Sequence, residues 1–349
     1  MLINIHLIVP SLFWPNVSQT EIYRDLSMPA LETLLAKSIA NEHPPQEMEI
    51  WLCNAFKVTQ QQNNWPIAPI MLHIDAPEKI KTINRDYWIR ADPVHLRIEQ
   101  NHIMLADSGA FEISEDEAEQ ITQYLNQNLK CYPDFKLLPL QPCRWYIRLP
   151  RTIEIQTYTI GQVTCKNINN FLPAGKESMI WRKIINEIQM LLHEHPVNQA
   201  RESCEKLPIN SLWLWGGGTL PQSIQSPYTH VWSRNNLPQA LALASNARYS
   251  NLPTHADKWL QNTISGNHLI VLDMLSEKAK YRKALDWREN LSTLENNWFS
   301  PLHNALKKGE INQLTITSIG ETSLQNFVIR RSNLWKFWLL TRPLMFYAR

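Results

Sequence analysis

The segment at 193–201 carries side chains that could do chemistry at short spacing. His193 and His195 lie two residues apart, and Asn198 and Arg201 follow them. The two imidazoles could ligate a metal, but no further cysteine, aspartate or histidine stands at ligand spacing. Asn198 and Arg201 could bind an anion, or the segment could end one helix and brace the loop after it. Helix capping and anion binding both stay open, and no metal is predicted.

A second polar segment, RADPVHLR at 90–97, contains Arg90, Asp92, His95 and Arg97. Alternate residues of a strand share a face, so a strand here puts Arg90 beside Asp92. Two guanidinium groups and an imidazole could hold a phosphate or a carboxylate. The alternative is a structural arginine–aspartate pair that packs two parts of the fold together.

The glycine run and the tryptophan-rich segments each allow more than one interpretation. The glycines at 216–218 follow a short apolar strand. They match neither the GxxxxGK[ST] pattern of a phosphate-binding loop nor the Rossmann glycine spacing. A turn with unusual backbone angles is therefore the favoured interpretation. The sequence has 14 tryptophans, and Trp335 and Trp338 stand in an aromatic stretch at 334–349. That stretch could dock on the core, or it could contact a protein partner or a membrane surface.

Apolar patterning gives the elements that must position these residues. Short apolar segments predict strands at 2–9, 144–149, 153–160, 212–215, 268–272 and 314–319, and alternation predicts another at 87–97. Helical spacing predicts helices at 28–36, 178–193 and 287–306, and a capping box at Ser114 and Glu117 begins another. Alternating strands and helices favour an α/β, doubly wound sheet. We predict a core domain at 1–85 and 176–349, with an inserted, smaller α+β domain at 86–175.

Composition excludes several classes of protein. The 34 basic and 32 acidic residues are too evenly balanced for a general nucleic-acid binder. Five cysteines without a CxxC pair disfavour a thiolate zinc site and a disulfide framework, and they fit a reducing compartment. The first 15 residues lack the basic region of a secretory signal, and no apolar run is long enough to span a bilayer. We therefore expect a cytoplasmic protein.

Several segments together resemble the archaeal-type, cofactor-independent phosphoglycerate mutases of the alkaline-phosphatase-like superfamily. They are the opening strand, MPALETLLA at 28–36, and the segment from HPVNQAR at 195–201 to the glycines at 216–218. A closer resemblance is to uncharacterised proteobacterial proteins described as RpfE-like regulators. Its marks are LIVPSLFWP at 7–15, WPIAP at 65–69, RADPVHLR at 90–97 and LWLWGGG at 212–218.

The resemblance implies phosphoryl transfer through a serine activated by two divalent metals. It also implies where the ligands should stand, and this chain departs from the pattern at four places. Pro10 and Ser11 follow the opening strand instead of an aspartate, and NWPIAP at 64–69 replaces the nucleophile segment. Asp273 is present, but Glu277 and Tyr281 stand where further ligands are expected. GETS at 320–323 lacks the late Asp-His pair.

The resulting hypothesis is a phosphoglycerate-mutase-like pseudoenzyme with a regulatory or ligand-binding role, without catalytic residues, metal or cofactor. Its candidate ligand is a phosphorylated or carboxylate small molecule, and a protein partner is possible. The candidate anion-binding residues are Arg90, Asp92, His95, Arg97, His195, Asn198 and Arg201. The alternatives are an active mutase or phosphatase with relocated ligands and a tryptophan-rich protein-interaction module.

Overall fold

The computed structural model describes residues 2–16, 18–80, 86–99, 102–132 and 134–348. The chain divides into two compact units. The first combines Met1–Leu52 with Ser226–Arg349, and the second is the continuous stretch Cys53–Gln225. The secondary structure is mixed α/β, as the sequence predicts.

The strands are β1 (Ile3–Pro10), β2 (Ile39–His43), β3 (Tyr87–Glu99), β4 (His102–Ala106), β5 (Leu137–Gln141), β6 (Arg144–Leu149), β7 (Ser211–Gly218), β8 (His230–Ser233), β9 (Arg248–Asn251), β10 (Gly266–Val271), β11 (Gln313–Ile319) and β12 (Leu324–Arg330). The helices are α1 (Pro29–Lys37), α2 (Met48–Ala55), α3 (Ile67–Asp75), α4 (Glu115–Asn128), α5 (Ile160–Val163), α6 (Ser178–His193), α7 (Pro196–Ser203), α8 (Asn236–Ala244), α9 (Ala256–Asn262), α10 (Ser276–Lys280), α11 (Ala284–Leu294) and α12 (Ser300–Lys308).

The first unit contains a seven-stranded sheet in the order β2-β12-β11-β1-β10-β8-β9. β1 is parallel to both β10 and β11, whereas β12 and β2 complete one side as antiparallel strands. Leu7, Ile8 and Val9 of β1 are fully buried. A strand covered on both faces needs apolar side chains in succession, which explains its unbroken apolar run.

Helix α1 begins at Pro29, which suits a first helical position because its missing N–H has no partner there. Leu31, Leu34 and Leu35 are buried in the core of the first unit. The Glu295 carboxylate accepts hydrogen bonds from the backbone N–H groups of Ala30 and Leu31 at 2.6 and 3.1 Å. A side chain about 265 residues away thus caps this helix.

The predicted long helix at 287–306 is interrupted. A π-helical turn at Glu295–Phe299 separates α11 from α12. Pro301 lies in the first turn of α12 and cannot donate a backbone hydrogen bond. Its ring would also clash with a carbonyl of the preceding α-helical turn. The wider turn before Pro301 accommodates the proline without ending the helical path.

The second unit contains a sheet of order β4-β3-β6-β5, with β7 also paired to β3. The long strand β3 confirms the prediction for 87–97, and α4 has both hydrogen bonds of the predicted capping box. The predicted strand at 153–160 is wrong. Gln156 makes an isolated bridge with Ala174, and Thr159 then caps α5, so the buried Ile153 and Ile155 belong to an irregular segment.

The glycines at 216–218 lie inside β7 rather than in a turn after it. The pairing of β3 with β7 shifts register between Trp88 and Arg90, and Gly216 at this irregularity has φ 67°. One type of β-bulge places a residue in this left-handed region, which glycine adopts without steric cost. The unusual angle is confirmed at Gly216, and its cause is the bulge.

The second unit is wider than the insert expected at 86–175. Residues 53–80 and 176–225 also belong to it, because β7 pairs with β3 and α6 packs against β7. The expected domain boundary at 85 falls on residues 81–85, which lie outside the described residues. The loop predicted after α6 is replaced by α7, which starts at Pro196 with His195 as its N-cap.

Candidate functional site

The carboxyl ends of the parallel strands β1, β10 and β11 meet at one edge of the first unit's sheet. Ligands of open α/β sheets bind at this kind of edge. Ser11 follows β1 with φ 57°, and its N–H donates to the Ile319 carbonyl at the end of β11. The Ser11 carbonyl accepts from the Trp287 indole at 2.9 Å. These contacts fix the backbone after β1 against β11 and α11.

Asp273 stands directly after β10 at the same edge and is half-buried. Burial raises the pKa of its carboxyl, and the nearby Asn235 amide and Arg234 guanidinium partly oppose that effect. Asn235 Nδ2 lies 3.5 Å from Asp273 Oδ2. Asp273 is thus a carboxylate accompanied by an amide and a cation.

An open cavity of about 800 Å³ lies at this edge, along the loop that follows β1. Trp14, Asn16, Gln19 and Arg282 are among its lining residues. The Trp14 indole donates to Gln19 Oε1 at 2.8 Å, which orients that amide. Arg282 has φ 56° and follows α10. The cavity therefore presents a guanidinium group and side-chain amides to any ligand that enters.

Arg282 faces Glu321, which follows β11. Its Nη2 lies 3.3 Å from both carboxylate oxygens, and both side chains are about half exposed. An exposed pair of this kind contributes little to stability because water screens it. An anionic ligand could therefore compete with Glu321 for Arg282 at small energetic cost.

The donors at this edge do not fit two divalent cations. Pro10 offers no side-chain ligand, Glu277 pairs with Lys278 at 3.1 Å, and Glu321 pairs with Arg282. In the part of the chain that the structure describes, no group of three or more histidine, cysteine or acidic side chains could hold a metal ion. A two-metal site needs several such donors converging on each ion.

The segment in place of the nucleophile has a structural role. Asn64 is buried and donates to the Ile155 carbonyl at 2.6 Å. Its side-chain oxygen accepts from both the N–H and the hydroxyl of Thr157 at 2.8 Å. Pro66 then leads into α3. These three of the Asn64 side-chain hydrogen bonds hold the irregular segment around 155–157 in place.

Two of the sequence-predicted anion-binding residues, Arg90 and Asp92, pair with each other on β3. Arg90 Nε and Nη2 donate to the two carboxylate oxygens at 2.8 and 2.7 Å, and both residues are buried. The Trp215 indole also donates to Asp92, at 2.7 Å. The guanidinium group lies 5.1 Å from the ring centroids of both Tyr146 and Trp215. This is the arginine–aspartate pair that the sequence offered as an alternative.

His95 and Arg97 lie further along β3. His95 Nδ1 donates to the Pro208 carbonyl at 2.8 Å, and Arg97 pairs with Glu99 at the exposed end of the strand. Among the described residues, Arg90 and Asp92 bond to each other, whereas His95 and Arg97 each bond to a different partner.

His195, Asn198 and Arg201 are buried around α7. His195 Nδ1 accepts from the Val197 N–H, and burial lowers its pKa. Asn198 donates to the Leu192 and Ile209 carbonyls. Arg201 donates to the Leu207 and Glu112 carbonyls and to Glu117 at 2.8 Å. These contacts match the alternative in which the three residues cap a helix and brace the loop after it. Anion binding by His195, Asn198 and Arg201 stays a prediction.

Sequence reasoning missed Arg282, Gln19 and Asn235. The available signal was the basic run KAKYRK at 278–283, which follows the buried strand β10. Basic side chains placed after a parallel strand reach its carboxyl end, where phosphate and carboxylate ligands bind. The amides gave no comparable signal, because polar loop residues occur throughout the chain.

His6 of β1 lies between two hydroxyl groups. The Thr317 hydroxyl donates to Asn326 Oδ1, so His6 Nε2 donates to Thr317 at 2.7 Å, and His6 Nδ1 accepts from Tyr228 at 2.9 Å. Burial lowers the pKa of His6 to about 4. The unfolded chain therefore binds a proton more readily, and stability falls as pH drops from about 6.5 towards 4.

We expect His6→Gln to flatten the fall in unfolding free energy between about pH 6.5 and 4, measured by urea denaturation at several pH values. Some slope remains, because burial also lowers the pKa of His230 to about 4. The exposed His43→Gln serves as the control and leaves the profile unchanged. An H6Q profile parallel to that of the unmodified chain would contradict the assignment.

Among the described residues, no helix is long and apolar enough to cross a membrane. Residues 78–198 match the family model of 2,3-bisphosphoglycerate-independent phosphoglycerate mutase. A mutase of that description from Methanosarcina mazei is 31% identical over 144 residues, covering 38% of this chain and 35% of the relative. One from Methanosarcina barkeri is 30% identical over 138 residues, covering 38% and 33%. The chain thus matches about a third of the length of these relatives.

The PH0037 protein from Pyrococcus horikoshii has a similar fold. The likeness covers 94% of this chain and 87% of that one, with a TM-score of 0.52 and 13% sequence identity. The predicted α/β fold is confirmed, and the two Methanosarcina relatives carry the sequence similarity. The chain is therefore similar in sequence to phosphoglycerate mutases over about a third of its length, and it shares its α/β fold with the PH0037 protein.

Proposed function

We propose that this protein binds a phosphorylated or carboxylate small molecule in the cavity beside Arg282, without two-metal phosphoryl transfer. The proposal is carried by the chemistry of the strand edge, where Arg282 and amides stand in place of a converging set of acidic and histidine donors. A guanidinium group binds phosphate or carboxylate through paired hydrogen bonds. The proposed role is regulatory or ligand-binding, as the resemblance to RpfE-like proteins also implies.

The geometry favours Arg282 over the arginines selected from the sequence. Arg90 and Arg201 are buried and donate to protein acceptors, so a ligand would have to displace those acceptors. Leaving a buried carboxylate or carbonyl unpaired is costly. Arg282 is half exposed and lines an open cavity, so a ligand can reach it without that cost.

An active mutase or phosphatase with relocated ligands is the second candidate, and Asp273 is the observation that favours it. Its carboxylate stands after β10, where the family resemblance places a metal ligand. One carboxylate cannot hold two cations alone, so this candidate needs ligands brought from elsewhere in the chain.

Metal analysis and calorimetry separate the two candidates. Purified protein incubated with manganese and then desalted is expected to retain less than one equivalent and to show no turnover of 3-phosphoglycerate. Titration with 3-phosphoglycerate is expected to show binding that Arg282→Gln weakens by about tenfold or more, because a charge-assisted pair is lost. The matched control is Arg151→Gln, another exposed arginine paired with a glutamate.

Two results would overturn the proposal. Stoichiometric manganese together with turnover would establish the active enzyme. Binding that R282Q and R151Q leave equally unchanged would remove Arg282 from the ligand site.

A further inference from the structure

The chain displays a set of large apolar side chains near its carboxyl-terminal end, called here the aromatic patch. Its members are Trp335, Phe337, Trp338 and Leu340, which are 76%, 85%, 64% and 80% exposed. Most tryptophans of this chain are buried, and Trp88, Trp145, Trp259 and Trp287 are almost fully so. Large apolar side chains grouped at a surface mark an interaction site.

The backbone that carries the patch is held by buried polar contacts. The Lys37 ammonium group of α1 is largely buried and donates to the carbonyls of Lys336 and Leu339. Buried Asn333 accepts from the Arg330 N–H at 2.9 Å just before the patch. Beyond it, the Leu344 N–H donates to Glu32 at 2.9 Å. These contacts hold the backbone in place while the aromatic side chains point outwards.

Basic residues are interleaved with the patch. Arg330, Arg331, Lys336 and Arg342 lie within 330–342, and the sequence has no aspartate or glutamate after Glu321. The Arg342 guanidinium group stacks over the Phe346 ring at 4.0 Å. The segment that carries the patch is therefore cationic as well as apolar.

We propose that the aromatic patch docks this protein on an anionic lipid surface. Tryptophan and phenylalanine partition into the headgroup region, and lysine and arginine beside them attract anionic lipids. The favoured partner is an anionic bilayer rather than a protein, because exposed aromatic side chains and basic residues alternate in this segment and it contains no acidic residue. Docking of this kind needs no membrane-spanning helix, and it is independent of ligand binding at Arg282.

Vesicle flotation tests the proposal. The full chain is mixed with vesicles of phosphatidylcholine alone, or with a quarter of that lipid replaced by phosphatidylglycerol. We expect flotation with the anionic vesicles at low salt and release at 0.5 M salt. Each basic side chain near such a surface contributes about fivefold to binding, so K336Q with R342Q should weaken it about 30-fold. W335A with W338A should weaken it at least tenfold, by removing the aromatic anchors.

A matched control removes exposed apolar side chains elsewhere. Ile98→Ala with Leu285→Ala changes two residues that are 78% and 81% exposed, and it should leave flotation unchanged. Circular dichroism and thermal melting confirm that each variant is folded. Failure of the unmodified chain to float would overturn the proposal, as would equal flotation of W335A/W338A and the control. Light scattering that shows a dimer lost in W335A/W338A, without flotation, would assign the patch to self-association instead.

Discussion

Asp92→Ala is expected to lower the free energy of unfolding by about 3–5 kcal/mol, because it leaves the buried Arg90 guanidinium group without its carboxylate. Asp92 accepts hydrogen bonds from Arg90, from the Trp215 indole and from the backbone of Trp145. Water cannot replace these contacts, since both members of the pair are only 4% exposed. Urea denaturation at pH 7 measures the change.

Two controls isolate the buried charge as the cause. Asp86→Ala removes a carboxylate from a pair whose arginine, Arg148, is 56% exposed, and it should cost less than about 1 kcal/mol. Replacing Arg90 and Asp92 together by leucine should recover part of the loss, because no unpaired charge then remains buried. If D92A were as stable as D86A and bound phosphate more tightly, the pair would be an anion site rather than a structural one.

Gly217→Ala is expected to destabilise the second unit by about 3 kcal/mol, because the added methyl group has no space. A Cβ atom at Gly217 would overlap the Tyr87 hydroxyl oxygen and lie 2.9 Å from Tyr87 Cζ. Both residues are buried in neighbouring strands, and the bulge at Gly216 fixes their approach. Thermal unfolding followed by circular dichroism measures the loss.

Tyr87→Phe provides a test of the proposed clash. The Tyr87 hydroxyl is buried without a hydrogen-bond partner among the described residues, so Y87F alone should be neutral or slightly stabilising. Combined with G217A, it should restore part of the lost stability. Gly320→Ala is the control, because its Cβ would meet a single carbonyl oxygen at 3.1 Å. Equal losses in G217A and G320A would show that helix or strand propensity, not the clash, sets the cost.

The elements that sequence predicts correctly have local causes. The capping box at Ser114 and Glu117, Pro29 at the start of α1 and the apolar run of β1 each act within a few residues. The failures involve distant partners. Glu295 of the π-helical turn bonds to the start of α1, and β7 joins β3 across more than a hundred residues.

The candidate site was also predictable only where its features are local in the sequence. The absence of an aspartate after β1 can be read directly from Pro10 and Ser11. The position of Arg282 opposite Glu321 depends on β10 and β11 lying on either side of β1. Strand order is a long-range property that spacing alone does not reveal. The same limit explains why Arg201 was a candidate, because its partners Glu112 and Glu117 lie more than eighty residues away.

The discontinuous first unit imposes an order on folding during synthesis. β1 pairs with strands that begin at Gly266 and Gln313, so it cannot pair with both neighbours until more than 300 further residues have been synthesised. The continuous stretch Cys53–Gln225 has its strand partners much earlier. Domains generally fold as units while translation proceeds. The nascent amino-terminal strand, apolar and unpaired, must therefore wait for the later segments, and that interval is when chaperones would be most needed.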